Sequence, residues 1–482
     1  MRYKLLLIVA FAMFFVNSIS AQKIKPNIIL FIADDVSWDD FACYGNQDVK
    51  TPNIDNLASQ GIRFDNFFLT ASSCSPSRNS IITGRYPHNT GACELHTEPP
   101  LEMISFPEIL KQNGYYTAQS GKFHMGKYAM RGFDVTSEGK EIGDGGEEKW
   151  LETIINRPKE KPFFMWFAAL DAHRPWGINS FAGTHDSTQI LPPGYLVNRQ
   201  KTKTDLAHYY DEIARFDNYI GLIIDELKQQ KALENTLILI MADNGRPFPH
   251  SKTRVNDRGM RTPFIAFWTE GIGMRTKYCS SLVSAIDIAP TILEIAGSKI
   301  PESVQGVSFA KLLKNPESPF RNYVFAEHNW HDYEAHERMV RTQDFLFILN
   351  SRPQFTILGP ADAVGSPSFA ELLELKNERK LTEEQAEIFI EPRQTEELYY
   401  NQSDKNQFNN LAFQEKYKEK LNELKQVLLD WMEETGDNIP EKLTADWYKK
   451  VPGYIKTPQN GIRGEMPGNA TNATKNNNKG KF

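Results

Sequence analysis

The chain has 482 residues, 40% of them apolar and 12% aromatic, enough to bury a sizeable core and to make two domains the expectation. Its formal charge is −6, so it carries no basic footprint for nucleic acid. Four cysteines leave room for disulfides, but their spacing assigns no pairing.

The start, Met1-Arg2-Tyr3-Lys4, holds two cations. An apolar run over residues 5–16 follows, and then the small residues Ser18, Ser20 and Ala21. This plan predicts a secretory signal peptide over residues 1–21, and with it export to the periplasm or the medium. The run is shorter than the roughly 20 residues that a membrane span needs. No later segment is apolar enough to cross a bilayer, so stable membrane insertion is not expected.

Residues 27–32 (NIILFI), 163–170 (FFMWFAAL) and 236–241 (TLILIM) are short, mostly apolar runs, the pattern of strands buried on both faces. Each leads into polar residues: Asp34-Asp35, Asp171-Ala172-His173 and Asp243-Asn244. Ligands of open α/β sheets bind beyond the carboxyl ends of the strands. Three strands are therefore expected to bring acids and a histidine to one edge. Between the last two runs, Ile213, Phe216, Ile220, Ile223 and Leu227 recur at three- and four-residue steps, which predicts a helix on the sheet over 205–230.

Cys74 opens the run Cys74-Ser75-Pro76-Ser77-Arg78, followed by Thr83-Gly84-Arg85. A single cysteine in such a setting is ordinarily a small hydrophobe on a turn. The surrounding chemistry argues otherwise. Asp34, Asp35, Asp243 and Asn244 form a hard, all-oxygen set that suits Ca²⁺ or Mg²⁺ rather than zinc. In Gly121-Lys122-Phe123-His124, a cation and a base two residues apart share a face if the segment is extended. His173 lies just past a strand, and Lys252 lies in a polar loop after Asp243; alone, each would be read as a structural or solvated side chain.

From about residue 330 the character changes. Residues 338–350 (RMVRTQDFLFILN) read as one strand and 397–400 as another, and Tyr417, Leu421, Leu424, Leu428 and Trp431 form the stripe of a long helix. The expected division is signal peptide 1–21, catalytic domain 22–330, a smaller C-terminal α+β subdomain 331–452 and a flexible tail 453–482. The tail is rich in Gly, Asn and Lys and shows no periodicity.

Ile32-Ala33-Asp34-Asp35, the Cys74 run, Gly121-Lys122-Phe123-His124, His173 and Asp243-Asn244-Gly245 resemble, in order and rough spacing, the type I (formylglycine-dependent) sulfatase family. Thr51-Pro52-Asn53-Ile54-Asp55, Gly259-Met260-Arg261-Thr262-Pro263 and Asp287-Ile288-Ala289-Pro290-Thr291 add to it, and the likeness covers most of residues 25–345. The resemblance implies an alkaline-phosphatase-like α/β fold, a large mixed sheet flanked by helices with a smaller C-terminal subdomain.

It also implies that a formylglycine-generating maturation enzyme oxidises Cys74 to Cα-formylglycine, hydrated to a gem-diol. Asp34, Asp35, Asp243 and Asn244 would bind calcium, which also contacts the Cys74-derived diol. Lys122 and Lys252 would grip the sulfate, Arg78 would hold the diol, and His173 would protonate the leaving group. His124 would help the second hydroxyl expel sulfate and restore the aldehyde.

Leu95-His96, the run from Asp243 to Pro249, and Ser366-Pro367-Ser368-Phe369 are similar to the N-sulfoglucosamine sulfohydrolase (heparan N-sulfatase) branch. Lys252 stands where that branch would carry Arg, as sulfatases of O-linked esters commonly do. Heparin or heparan sulfate and other sulfated polysaccharides thus remain as substrates, with His96, Arg246, His328 and His331 as candidate contacts. Two rivals differ in class. A phosphodiesterase or phosphatase of the same fold would use Ser or Thr and two zinc ions, whereas Asn244 stands where a second zinc would want His. A catalytically silent glycan-binding protein would have lost a catalytic residue, and every expected position is filled.

Overall fold

The three apolar runs are strands and lie side by side. The computed structural model describes residues 25–177, 180–274 and 277–482; the expected signal peptide lies outside them. Among the described residues fourteen strands follow in chain order: β1 (Asn27–Ala33), β2 (Ile62–Phe64), β3 (Phe67–Phe68), β4 (Tyr116–Gly121), β5 (Val135–Ser137), β6 (Phe163–Ala168), β7 (Thr236–Ala242), β8 (Phe264–Phe267), β9 (Lys277–Cys279), β10 (Val283–Ser284), β11 (Val324–His328), β12 (Glu337–Arg341), β13 (Phe345–Asn350) and β14 (Glu396–Tyr400). Eight form the main sheet in the order β5-β4-β6-β1-β7-β8-β2-β9.

β4, β6, β1 and β7 are neighbours and mutually parallel, while β8 runs antiparallel to β7 and β2, so the sheet is mixed. Alternate residues of β1 serve opposite cores. Ile28, Leu30 and Ile32 face one, and Ile29, Phe31 and Ala33 the other. Burial on both faces is why these strands read as unbroken apolar runs. The helix Gln200–Gln229 covers one face with Ile213, Phe216, Ile220, Ile223 and Leu227, all buried. Each such side chain contributes about 1.5–3 kcal/mol.

A second, antiparallel sheet, β11-β12-β13-β14, receives the stripe of the helix Lys418–Thr435, with Trp431 stacked on Phe325 at 4.9 Å. Residues 338–350 are two strands rather than one. Thr342 and Phe345 exchange hydrogen bonds across a tight turn that carries no glycine to announce it. The second sheet begins at Val324, ahead of the expected boundary at 331, because β11 pairs with β12. Its Val324, Ala326, Met339 and Ile348 also join the core of the main sheet, so one core runs through both units.

The tail expected to be flexible is packed instead. Arg85 donates to the carbonyls of Thr474 and Asn476 and to Asn477 Oδ1, and Gln305 donates to the carbonyl of Asn478. Arg463 bonds Glu94 and lies over the rings of Trp330 and Trp447. Polar composition removed any periodic signal, yet these backbone carbonyls satisfy buried donors of the main domain. All four cysteines are unpaired. Among the described residues no helix is long and apolar enough to cross a membrane.

Candidate active site

The carboxyl ends of β4, β6, β1 and β7 converge on one point. Ladder bonds continue past the strand ends: Asp34 N donates to Asp171 O, Ala172 N to Asp34 O, and Lys122 N to Ala168 O. Gly121 permits the approach of β4 to β6, since a Cβ there would lie 1.9 Å from Ala168 O. Opposite these ends stands the helix Cys74–Thr83, buried along its whole length with Cys74 at its first position. Gly84, at φ +67°, ends it where a side chain would strike Val304 and Ala289.

Cys74 Sγ lies 3.9 Å from Asp34 Oδ1, 4.0 Å from Asp35 Oδ1 and 3.3 Å from Asn244 Nδ2. Arg78, one turn along the same helix, donates from Nε to Asp243 Oδ2 at 2.7 Å and from Nη1 to Lys122 O at 3.0 Å. Lys122 Nζ bonds Asp34 Oδ2, and Lys252 Nζ bonds Asp35 Oδ2 at 2.6 Å. Leu95 and Trp330 pack on the Cys74 thiol. Asp35, His96 and His124 all adopt positive φ without being glycine. Such backbone costs about 1–3 kcal/mol each and clusters at functional sites.

Asp34, Asp35 and Asp243 are fully buried against three cations, Arg78, Lys122 and Lys252. Burial pushes the Asp34 carboxyl up, but Lys122, His173, Arg78 and Lys252 outweigh it and hold it well below the usual range. Burial wins for Asp35, raised to about 7, and for Asp243, raised to about 6. Burial likewise lifts the Cys74 thiol to about 12.

The residues present fit a divalent, oxygen-seeking cation. Asn244 Nδ2 sits 3.0 Å from Asp35 Oδ1 and 2.9 Å from Asp243 Oδ1, while Asn244 Oδ1 is buried without a partner. Turning that amide over would add a fourth oxygen to the carboxylate set.

The two histidines differ. His124 Nε2 meets His96 Nδ1 at 3.0 Å, and His124 Nδ1 is buried with no partner. Burial, with Lys122 and His96, lowers His124 to about 2, so the imidazole is neutral. His173 directs Nδ1 to Arg174 O, leaving Nε2 3.8 Å from both Asp35 Oδ2 and Asp362 Oδ2. Burial, then Lys252 and Lys122, lowers it to about 4. Its side chain is 34% exposed and that of Lys122 12%, so the cluster opens to solvent on this side.

The structure thus brings together Asp34, Asp35, Cys74, Arg78, Lys122, His124, His173, Asp243, Asn244 and Lys252, with His96 against His124. His331 is buried beside them, its Nδ1 2.8 Å from Ser73 Oγ. Two expected substrate contacts are reassigned. Arg246 is buried and spends its guanidinium on Asp39 and on Asp40, 3.0 Å away. His328 turns Nδ1 to Glu337 at 3.0 Å. Both are structural partners, because buried charges and rings take the nearest complement.

Asp362 escaped the sequence reading. It sits on the short helix Ala361–Val364, 3.9 Å from Lys252 Nζ. The available signal lay just downstream. Ser366 caps the helix Pro367–Glu378, and Ser368 Oγ bonds Asp205, which also accepts from Arg174 and Trp176. That junction docks the C-terminal segment against the loop carrying His173.

The sulfatase family model matches residues 26–143 and 147–298. The chain belongs to the sulfatase family. A model described as N-sulphoglucosamine sulphohydrolase, C-terminal, matches residues 250–350 of this sulfatase. An ulvan-active sulfatase of Formosa agariphila is 30% identical over 474 residues, covering 86% of this chain and 76% of its own length. Human N-sulphoglucosamine sulphohydrolase is 28% identical over 458 residues, covering 85% and 90%. Among solved structures, a complex with the substrate D-glucosamine-2-N,6-O-disulfate matches with a TM-score of 0.65 at 21% identity, over 85% of this chain and 98% of that one.

A phosphonate monoester hydrolase from Silicibacter pomeroyi matches with a TM-score of 0.66 at 17% identity, over 86% and 98%. The fold is alkaline-phosphatase-like, and it does not choose the ester. Family membership does: the enzyme is a sulfuric ester hydrolase.

Proposed function

We propose that this sulfatase is exported, carries formylglycine at position 74 and calcium at Asp34, Asp35, Asp243 and Asn244, and removes sulfate from a sulfated glycan. The observation that carries this reading is the position of Cys74. It heads a buried helix, 3.9 and 4.0 Å from two carboxylates of an oxygen-rich set and flanked by three cations.

Formylglycine hydrate would supply the nucleophile, and bound calcium would supply Lewis acidity toward the sulfate oxygens. The chain's own residues then have defined tasks. Lys122 and Lys252 offer ammonium groups to the sulfate, replacing part of their pairing with Asp34 and Asp35. Arg78 fixes Asp243 and so the spacing of the acids. His173, on the side of the cluster open to solvent, would give a proton from Nε2 to the departing atom. His124 remains neutral, with Nδ1 buried and free of a hydrogen bond.

N-sulfoglucosamine of heparin or heparan sulfate is the first substrate to test, on the match over residues 250–350 and the human relative. An O-sulfated polysaccharide is the second reading, favoured by Lys252 and by the ulvan-active relative.

Peptide mass spectrometry over residues 64–85, on protein from a host with the maturation enzyme, is the decisive experiment. Loss of about 18 Da at Cys74 supports the nucleophile and calls for a screen of N- and O-sulfated saccharides. An intact thiol in that host removes the formylglycine mechanism and leaves a silent glycan-binding protein.

A further inference from the structure

Beside His173 lies a cavity of about 700 Å³, within the range of roughly 300–1,000 Å³ typical of small-molecule sites. Asp362 belongs both to its wall and to the reacting cluster, 3.8 Å from His173 Nε2. Arg174, adjacent to His173, also lines it. The cavity is therefore an extension of the place where the leaving group must stand.

Its walls come from three parts of the chain. Gln200, Thr204 and His208, at four-residue steps, and Lys201 present one face of the helix Gln200–Gln229. The indole of Trp176 is half-buried and held by Arg174 stacked 4.5 Å from its ring centre, a guanidinium itself bound bidentately to Asp205. Tyr454, 51% exposed, closes the side supplied by the C-terminal segment. Two aromatic rings with accessible surface suit the C–H faces of a sugar ring. The exposed His208 offers a donor to an anionic substituent, as does Lys201, whose ammonium meets Glu374 at 2.6 Å in an exposed pair that an incoming anion can compete for, and Asp362 accepts from hydroxyls.

We propose that this cavity binds the saccharide unit adjoining the one that loses its sulfate, and that it favours a unit bearing a carboxylate or sulfate group. The proposal rests on the glycan reading of the active site. It makes the enzyme one that engages at least two sugar units, with specificity shared between the main domain and Tyr454 of the C-terminal segment.

Tyr454→Ala and Lys201→Ala are both surface truncations expected to fold normally. For each, kcat/KM would be measured on sulfated tetrasaccharides of heparin and of ulvan and on 4-nitrophenyl sulfate, which has no second unit. The expected result is a fall of about tenfold in the ratio of tetrasaccharide to aryl sulfate kcat/KM. An unchanged ratio would overturn the proposal.

A calorimetric titration of the Cys74→Ala protein with the same tetrasaccharides reads the cavity without turnover. Addition of Tyr454→Ala should weaken binding by about tenfold, that is about 1.4 kcal/mol. Equal affinities, or no binding by the parent, would overturn the proposal. Failure of the wild-type enzyme to hydrolyse any sulfate ester would instead strike the sulfatase reading, and the titration would still decide the cavity.

Discussion

Two polar clusters of this molecule are built on buried acids and do opposite things. Beneath the second sheet, His88, Glu327 and Asp437 could in principle hold a metal, as could Asp34, Asp35 and Cys74 at the ends of the parallel strands. In the first cluster every charge is matched. Arg338 takes Asp437 with Nε and Nη2, its Nη1 donates to Asn329 Oδ1, and Glu327 accepts from His88 Nδ1 at 2.8 Å and Asn329 Nδ2 at 2.8 Å. Around Cys74, Asn244 Oδ1, Arg78 Nη2 and His124 Nδ1 make no hydrogen bond, although Arg78 Nη2 lies 3.8 Å from Asp34 Oδ1. Buried polar atoms left unpaired cost about 1–3 kcal/mol each. A cluster that closes on itself stabilises, and one that leaves buried polar atoms without hydrogen bonds has capacity for something that arrives later.

Substitutions at matched positions can break this contrast, and the largest effect is expected at the nucleophile. Cys74→Ala should lower turnover by at least about 10³-fold while the melting temperature moves by no more than about 2 °C. A collapse of stability would make Cys74 a core residue first.

His173→Ala should cost about 10²–10⁴-fold on glycosidic sulfates and markedly less on an aryl sulfate with a good leaving group. Equal losses on both substrates would take the proton-donor role from it. In the other cluster, Arg338→Met leaves Asp437 buried and unpaired. We expect a loss of about 3–5 kcal/mol in urea unfolding, with activity per folded molecule retained.

Chelation separates the clusters by metal. EGTA should lower the wild-type melting temperature, and calcium should restore it, through a linkage of about 2.7 kcal/mol at a hundredfold excess over Kd. Asp243→Asn should abolish that response and Asp437→Asn should preserve it. The reverse pattern would move the metal to the second cluster.

The smallest effect is with pH. Burial pushes Glu337 up, but Arg393 and His328 outweigh it and lower it to about 2; burial, then Arg338, lowers the adjacent His336 to about 3. Both folded values lie below the unfolded ones, so their stabilisation is complete above the unfolded pKa and is lost as pH falls through the folded one. Stability from His336 should decline below about pH 6.5 and from Glu337 below about pH 4.5, on the order of 1–3 kcal/mol in all. Urea midpoints at pH 7, 5 and 3 for wild type and Glu337→Gln would show it, and parallel curves would remove Glu337 as a contributor.

Much of the catalytic edge was legible because its signals are local. Residues 27–32, 163–170 and 236–241 read as buried strands, and β1, β6 and β7 span them closely. The predicted helix over 205–230 is Gln200–Gln229. Residues 338–350 misled because two apolar halves joined by Thr-Gln-Asp carry no turn residue strong enough to interrupt one strand. Arg246 misled because its position beside Asn244 in sequence says nothing of Asp39 and Asp40, which neutralise it from another loop.

By itself the amino-acid order determined the strand and helix periodicities and the identity of the acids, cysteine, lysines and histidines that the resemblance singled out. Periodicity and residue chemistry are properties of neighbours in the chain, so they survive without coordinates. Only the tertiary structure decided that β4, β6, β1 and β7 are adjacent, that Asp362 stands beside His173, and that the polar tail lies on Arg85 and Gln305. These are contacts between residues tens to hundreds of positions apart. They are set by which faces can be buried together and which buried donors still lack an acceptor, and no local pattern records either.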